Sequence, residues 1–285
     1  MERRGKVCFM IDKQKPRDYN RFVQKAEAFE YRISRRHAAK IQLRRKSNNM
    51  KKLLALLMAM VMVLGLVACG SSQTAAPAQS EAAPADAAAD GPLAQLIADA
   101  TGVPFVLAAF QVFDWNLDLT PWHDDAISRK PEVGTMTSET LRYVTEALLP
   151  VLETEYGKIP VILGGYSLGG LFALWSASQT DRFAAVAAAS PSLWIRDWLE
   201  FAKEHPVKAE KVYLSLGDQE EHVKNRAISR VGDSVREEYE LLKVLLGSEN
   251  CTLVWNSGNH FKDADKRLSA AFAWCIKALE AGKKV

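Results

Sequence analysis

Three kinds of side chain in the second half of this chain could together activate a hydroxyl. Ser167 lies in Gly165-Tyr166-Ser167-Leu168-Gly169, between the apolar runs Val161–Leu163 and Leu171–Trp175. The carboxylates Asp218, Glu220 and Glu221 follow the strand-like segment Lys211-Val-Tyr-Leu-Ser-Leu216, and His260 follows the strand-like segment Cys251-Thr-Leu-Val-Trp255. A serine hydroxyl is a weak nucleophile at neutral pH. It needs a base within hydrogen-bond reach, and that base must itself be held by an acid. The chemistry these residues could do is attack on a carbonyl, with His260 taking the proton of Ser167 and returning it to the leaving group. One of the three acids would fix the imidazole tautomer and stabilise the imidazolium. The other histidines fit this role less well. His205 precedes Pro206 in a polar stretch, His222 sits in Glu-Glu-His-Val-Lys, which reads as a solvated helix start, and His123 lies in a mixed aromatic and polar loop.

Such residues work only if the backbone brings them to one place. Gly165-x-Ser167-x-Gly169 is the spacing of a nucleophile elbow, a sharp strand-to-helix turn that projects a serine above the end of a sheet. Glycines are needed there because a Cβ on either side would collide with the neighbouring strand or helix. The helix that follows aims its first N–H groups at developing negative charge, so the amide of Leu168 is the predicted oxyanion donor. Strands are predicted at 104–112, 161–166, 183–189, 211–216 and 251–255. Helices are predicted at 93–100, 137–155 (with Ser138 as N-cap), after Ser167, and at 196–204, 227–246 and 264–281. This alternation predicts an α/β fold, a mostly parallel sheet with helices on both faces. Ser167, the acids and His260 each fall just past the C-terminal end of a strand, on one edge of that sheet. The loop 114–125 is dense in aromatic and polar residues and sits at such an end, where open α/β sheets bind ligands. Trp115 and Trp122 there read either as substrate contacts or as packing plugs, and Trp194 joins them as a substrate-lining candidate.

The N-terminal part of the chain reads differently. Lys51-Lys52 leads into the apolar run 53–68, followed by Cys69-Gly70-Ser71-Ser72. A basic start, a short apolar core and a small residue before the cleavage point make a secretory signal. Leu66-Val67-Ala68-Cys69 resembles the bacterial lipobox, in which the cysteine is lipidated and becomes the first mature residue. Met50 then reads as the natural start, residues 1–49 as a basic extension outside the mature protein, 50–69 as signal and 70–92 as a disordered Ala/Pro/Ser tether. Residues 93–285 form the domain. Residues 1–52 hold 17 Lys and Arg against 5 Asp and Glu, a balance of +12; the remaining 20 against 29 leave −9. The exported body is therefore acidic, which argues against a nucleic-acid partner. The expected location is the outer face of a bacterial cell membrane, held by lipid on Cys69.

Four cysteines do not make a disulfide framework here. Cys69 is assigned to lipid and Cys8 precedes the signal. Cys251 and Cys275 lie in apolar runs and read as small buried hydrophobes, with a single bridge between them as the alternative. No Cys/His cluster has metal-ligand spacing, so no metal is predicted, and no cofactor.

From about Pro104 to Ala281 the chain resembles the esterase D and enterochelin-esterase-like branch of the α/β-hydrolases. The segments that carry the resemblance are Gly165-Tyr-Ser-Leu-Gly-Gly-Leu-Phe-Ala-Leu174, Ala189-Ser-Pro-Ser-Leu-Trp194, Leu214-Ser-Leu-Gly-Asp-Gln-Glu220, Gly258-Asn-His-Phe261 and Asp118-Leu-Thr-Pro121. The order Ser, acid, His along the chain is that of this fold. The resemblance implies serine-dependent hydrolysis of an ester or related acyl bond in a small molecule, without a cofactor. It favours Glu220 as the acid, with Asp218 as the alternative. It also implies further strands before residue 104, where this chain has its signal, its tether and residues 93–103, so the fold is read as shortened at its N-terminal strands. The second oxyanion donor of such folds comes from the loop after an earlier strand; no His-Gly type motif marks it in this sequence, and the backbone of Gln111–Trp115 is its candidate. A reading from another class is a non-catalytic surface lipoprotein that keeps the fold and binds a ligand or partner. The substrate is not legible.

Overall fold

The computed structural model describes residues 6–12, as backbone, and residues 92–282. Residues 13–91, which include the expected signal, Cys69 and almost all of the expected tether, lie outside the described residues. Strands β1 (Lys6–Asp12), β2 (Phe105–Gln111), β3 (Val161–Tyr166), β4 (Ala185–Ala189), β5 (Lys211–Gly217) and β6 (Cys251–Asn256) form one six-stranded sheet in the order β2-β1-β3-β4-β5-β6. From β3 to β6 neighbouring strands are parallel. Only β1 runs the other way, antiparallel to both β2 and β3. The sheet is mostly parallel and the fold is α/β, as the alternation of elements predicts.

β1 is the feature that the sequence reading leaves out. Residues 1–49 were given no place in the domain there, yet Lys6–Asp12 is a strand between β2 and the strand that leads to Ser167. In that register Cys8 is opposite Ala109 on one side and Gly164 on the other.

The helices are α1 (Pro92–Thr101), α2 (Trp115–Leu119), α3 (Thr137–Tyr143), α4 (Leu149–Tyr156), α5 (Leu168–Gln179), α6 (Trp198–Glu204), α7 (Val231–Leu246) and α8 (Ala264–Gly282). α1 and α8 share a buried cluster with the sheet: Ile97 of α1 and Leu268, Ala271, Phe272, Cys275 and Ile276 of α8 pack on Ile162, Ala185, Ala187, Ala189 and Tyr213. Along β3 to β5 the residues of opposite parity, Leu163, Val186, Ala188, Val212 and Leu214, are equally buried and face the other side. A strand buried on both faces is largely apolar, which is why β3 and β4 read as unbroken apolar runs and β5 departs from one only at Lys211 and the buried Ser215.

Four local expectations are corrected. The helix predicted over 137–155 is present but is α3 and α4 joined by a π turn, Val144–Leu148. The wider turn takes up Pro150, whose ring and missing N–H an unbroken α-helix would not accommodate. Ser138 is not its N-cap: Met136 holds that position, and the helix begins at Thr137, whose hydroxyl donates to the carbonyl of Thr120. Residues 221–224 do not start a helix; a short 3₁₀ turn at Ile228–Arg230 precedes α7. Cys251 and Cys275 are both buried and both free, which rules out the alternative bridge.

Candidate active site

Ser167 occupies the single residue between β3 and α5, with φ 60° and ψ −121°. A non-glycine residue in the positive-φ region is strained and persists only where its surroundings impose it. Those surroundings are tight. A Cβ added at Gly165 would come within 2.5 Å of the Gly169 backbone, so strand and helix can pass this closely only because residue 165 is glycine. The Ser167 N–H donates to the carbonyl of Ala189 at 3.1 Å, which ties the turn to β4. The Ser167 hydroxyl is 3.3 Å from that of Ser192. The amide of Leu168 is the first of α5 and has no carbonyl one turn back to bond to.

Glu220 lies three residues after the end of β5 and is 4% exposed. Its Oε2 is 2.6 Å from Nδ1 of His260. A carboxylate only accepts, so Nδ1 carries the proton and Nε2 is the nitrogen able to take another. The other oxygen, Oε1, accepts from the Gly217 N–H at 2.7 Å, the Ser190 hydroxyl at 2.8 Å and Nη1 of Arg267 at 2.8 Å. Burial pushes the Glu220 carboxyl up, but the bonds from His260, Gly217 and Ser190 outweigh it and hold the group below the usual carboxylate range. Gly217 is a glycine of necessity, because a Cβ there would stand 2.3 Å from the Gly258 carbonyl oxygen and 2.9 Å from Glu220 Oε1.

The two acids left open beside Glu220 go elsewhere. Asp218 is exposed and accepts the Gly258 N–H at 2.8 Å; that bond is the main reason its carboxyl is held low. Glu221 pairs with Arg236 at 2.7 Å. Asp218 therefore shapes the loop that carries His260, while Glu220 contacts its ring.

His260 follows β6, with its side chain about one-third exposed. Tyr166, the residue before Ser167, donates its hydroxyl to the His260 carbonyl at 2.8 Å, and the two rings are 5.2 Å apart. Burial raises the pKa of the Tyr166 hydroxyl, which keeps it a donor.

The predicted substrate tryptophans separate. Trp122 donates its indole N–H to the carbonyl of Arg196 and stacks against Trp198 and Phe201, with centroids 6.3 Å and 5.1 Å away. It packs the loop onto α6, the plug role that the sequence left open. Trp115 opens α2 and Trp194 precedes α6; both are partly exposed. In the segment proposed for the second oxyanion donor, the N–H groups of Phe113 and Asp114 both go to Oδ2 of the buried Asp118.

Tyr166, Ser190, Ser192 and Arg267 were missed as site residues in the sequence. Arg267 left a signal: it stands at i−4 and i−8 to Ala271 and Cys275, on the apolar stripe of α8, where a lone arginine needs a buried partner. A cavity of about 420 Å³ lies elsewhere, where Leu174 of α5, Trp198 and Phe201 of α6 and Leu242 of α7 meet the buried Glu238. None of the predicted catalytic residues lines it. Among the described residues, no group of His, Cys, Asp and Glu is arranged to hold a metal ion.

Comparison with known proteins places this geometry in context. Residues 92–274 match the model of the Esterase family, described as “Putative esterase”. Two solved structures from Aspergillus nidulans share the fold. The siderophore hydrolase EstA is 20% identical, with 65% of this chain and 80% of that one covered at a TM-score of 0.50. The siderophore hydrolase EstB is 17% identical, with 64% and 78% covered at a TM-score of 0.51. No curated protein matches the chain.

Proposed function

The chain belongs to the Esterase family and is by that membership a carboxylic ester hydrolase; from this premise we propose that Ser167, His260 and Glu220 are its catalytic triad. The observation that carries the proposal is the 2.6 Å contact between Nδ1 of His260 and the buried Oε2 of Glu220. It sets the tautomer that leaves Nε2 to act as base, at the strand ends where the strained turn presents Ser167.

The proposed cycle starts when the Ser167 hydroxyl turns from Ser192 toward Nε2 of His260. Oγ attacks the ester carbonyl while Nε2 takes its proton. The carbonyl oxygen becomes an oxyanion held by the Leu168 N–H and the positive end of α5. Its collapse expels the alcohol, which leaves with the proton from Nε2. Water, deprotonated by the same nitrogen, then releases the acid. Glu220 stabilises the imidazolium in both halves and stays ionised throughout. The substrate is a small-molecule ester; the neighbours act on siderophores, and a siderophore ester is one candidate among acyl esters.

The test is covalent labelling of the full chain by a fluorophosphonate probe. Labelling of the native protein that disappears in Ser167→Ala supports the triad. An intact, folded protein that takes no label supports the other reading, a non-catalytic lipoprotein that binds a ligand.

We also propose that the chain is exported and lipid-anchored through Cys69, on the strength of the sequence 51–72. Among the described residues no helix is long and apolar enough to cross a membrane. Cleavage before Cys69 would cut the chain between β1 and the rest of the sheet. Intact-mass measurement of the protein from bacterial membranes tests this. A lipidated chain starting at Cys69 is the expected result, and a full-length soluble chain overturns it.

A further inference from the structure

We propose that Arg267 is a positioning residue of this site: one guanidinium locks the acid and the loop that carries the base into a single unit. The proposal rests on the hydrolase reading above.

Arg267 lies in the first turns of α8 and is 3% exposed. Its Nη1 donates to Oε1 of Glu220 at 2.8 Å, to the Tyr166 hydroxyl at 3.1 Å and to the Ser190 hydroxyl at 3.3 Å. Its Nη2 donates to the carbonyls of Asn259 at 3.1 Å and Ser257 at 3.4 Å. Tyr166 ends β3, Ser190 follows β4, Glu220 follows β5, and Ser257 and Asn259 follow β6. A single side chain thus bonds to the ends of four neighbouring strands, the same ends that supply Ser167, Glu220 and His260.

The two nitrogens have different tasks. Nη1 fixes the orientation of the carboxylate, so that Oε1 is occupied and Oε2 is left for the imidazole. Nη2 holds the backbone on the N-terminal side of His260, and Tyr166, itself held by Nη1, holds the His260 carbonyl. The base is therefore placed by its own ring contact and by two backbone tethers that converge on one cation. A lysine could supply the charge, but its single ammonium cannot span the carboxylate and the loop carbonyls as a planar fork does. Loss of the fork lets the carboxylate turn and the loop drift. A misplacement of about 1 Å in a catalytic constellation is enough to slow reaction about a hundredfold.

The experiment measures the second-order rate of fluorophosphonate labelling of Ser167 in the full chain, with thermal melting as the check on folding. Arg267→Ala is expected to melt cooperatively, to label about a hundredfold more slowly than the native chain, and to regain rate saturably with added guanidinium ion. Sodium chloride at equal ionic strength should not restore it. Arg267→Lys covers the case in which the alanine variant does not fold: it keeps the charge without the fork and is expected to label at least about tenfold more slowly with melting intact. Native labelling rates in either variant, or an alanine variant that folds but gains nothing from guanidinium, overturn the proposal. A native chain that takes no label at all overturns the hydrolase reading and this inference with it.

Discussion

The hydroxyl of Tyr166 donates to the main-chain carbonyl of His260 at 2.8 Å, so the residue before the nucleophile holds the backbone of the base. The elbow and the histidine loop belong to different strands, yet this bond makes the position of one depend on the other. Tyr166→Phe removes it with no change in shape. The variant should lose about 1 kcal/mol of positioning, a three- to tenfold fall in kcat/KM on a chromogenic ester. An unchanged kcat/KM would show that the loop holds itself.

Glu220 and Asp218 lie two residues apart and differ in what they touch. Glu220→Gln leaves a neutral amide beside Nδ1 and should lower kcat on the order of 10³–10⁴-fold. Asp218→Asn keeps an oxygen to accept the Gly258 N–H and loses only an exposed charge, so it should stay within a few-fold of native. Kinetics of the two variants side by side decide the assignment; a larger loss in the Asp218 variant would reverse it.

Close passage of β3 and α5 at Gly165 predicts a structural effect from one methyl group. Gly165→Ala drives a Cβ to 2.5 Å from the Gly169 carbonyl carbon, where only backbone can move. Overpacking of this kind costs about 1–3 kcal/mol. For a domain of this size that is a fall in Tm of roughly 2–12 °C. Labelling of Ser167 should fall as well, because relief of the clash moves the turn.

Glu238 predicts a pH dependence of stability separate from catalysis. It is 2% exposed, its Oε2 accepts the indole N–H of Trp198 at 3.0 Å, and burial raises its pKa from 4.5 to about 7. The folded state thus keeps a proton that the unfolded chain releases. Its contribution to stability is fully present below pH 4.5 and is lost as the pH rises through about 7. The whole shift is worth roughly 3 kcal/mol. Glu238→Gln keeps an acceptor for Trp198 and carries no charge. Its Tm should lie close to native at pH 5 and above native at pH 8. Parallel Tm curves for the two proteins across that range would refute the account.

The parts of this architecture that were legible in the sequence are those with a local cause. Buried strands show as apolar runs such as 161–163 and 185–189, and the elbow shows because Gly165 admits no Cβ. That Ser167, Glu220 and His260 lie at one edge of the sheet follows from β3, β5 and β6 pointing the same way. What was not legible depends on contacts far apart in the chain. Arg267 is one residue on a long helix until the ends of four strands are brought to it. Whether Trp122 packs or binds depends on α6, some seventy residues later. The π turn at Val144–Leu148 hides inside an ordinary apolar period, with Pro150 as its one trace. β1 is not legible because its composition and its place ahead of a run that reads as an export signal both argue for a segment outside the domain.

The pairing of Val7 with Gly165 and of Ile11 with Val161 also fixes an order of events. β1 precedes both of its partners in the chain, and one of them emerges only after Val161–Tyr166 has been synthesised. Pairing of such long sequence separation is slow, because the chain between must be closed into a loop before any contact rewards it. Until then the site for β1 along β3 does not exist. If the chain is cut before Cys69, as proposed above, a cut that outruns synthesis leaves that seat vacant, whereas a later one leaves the strand paired but severed from the rest of the chain. The timing of the cut, rather than the chain itself, would decide which of two molecules is produced.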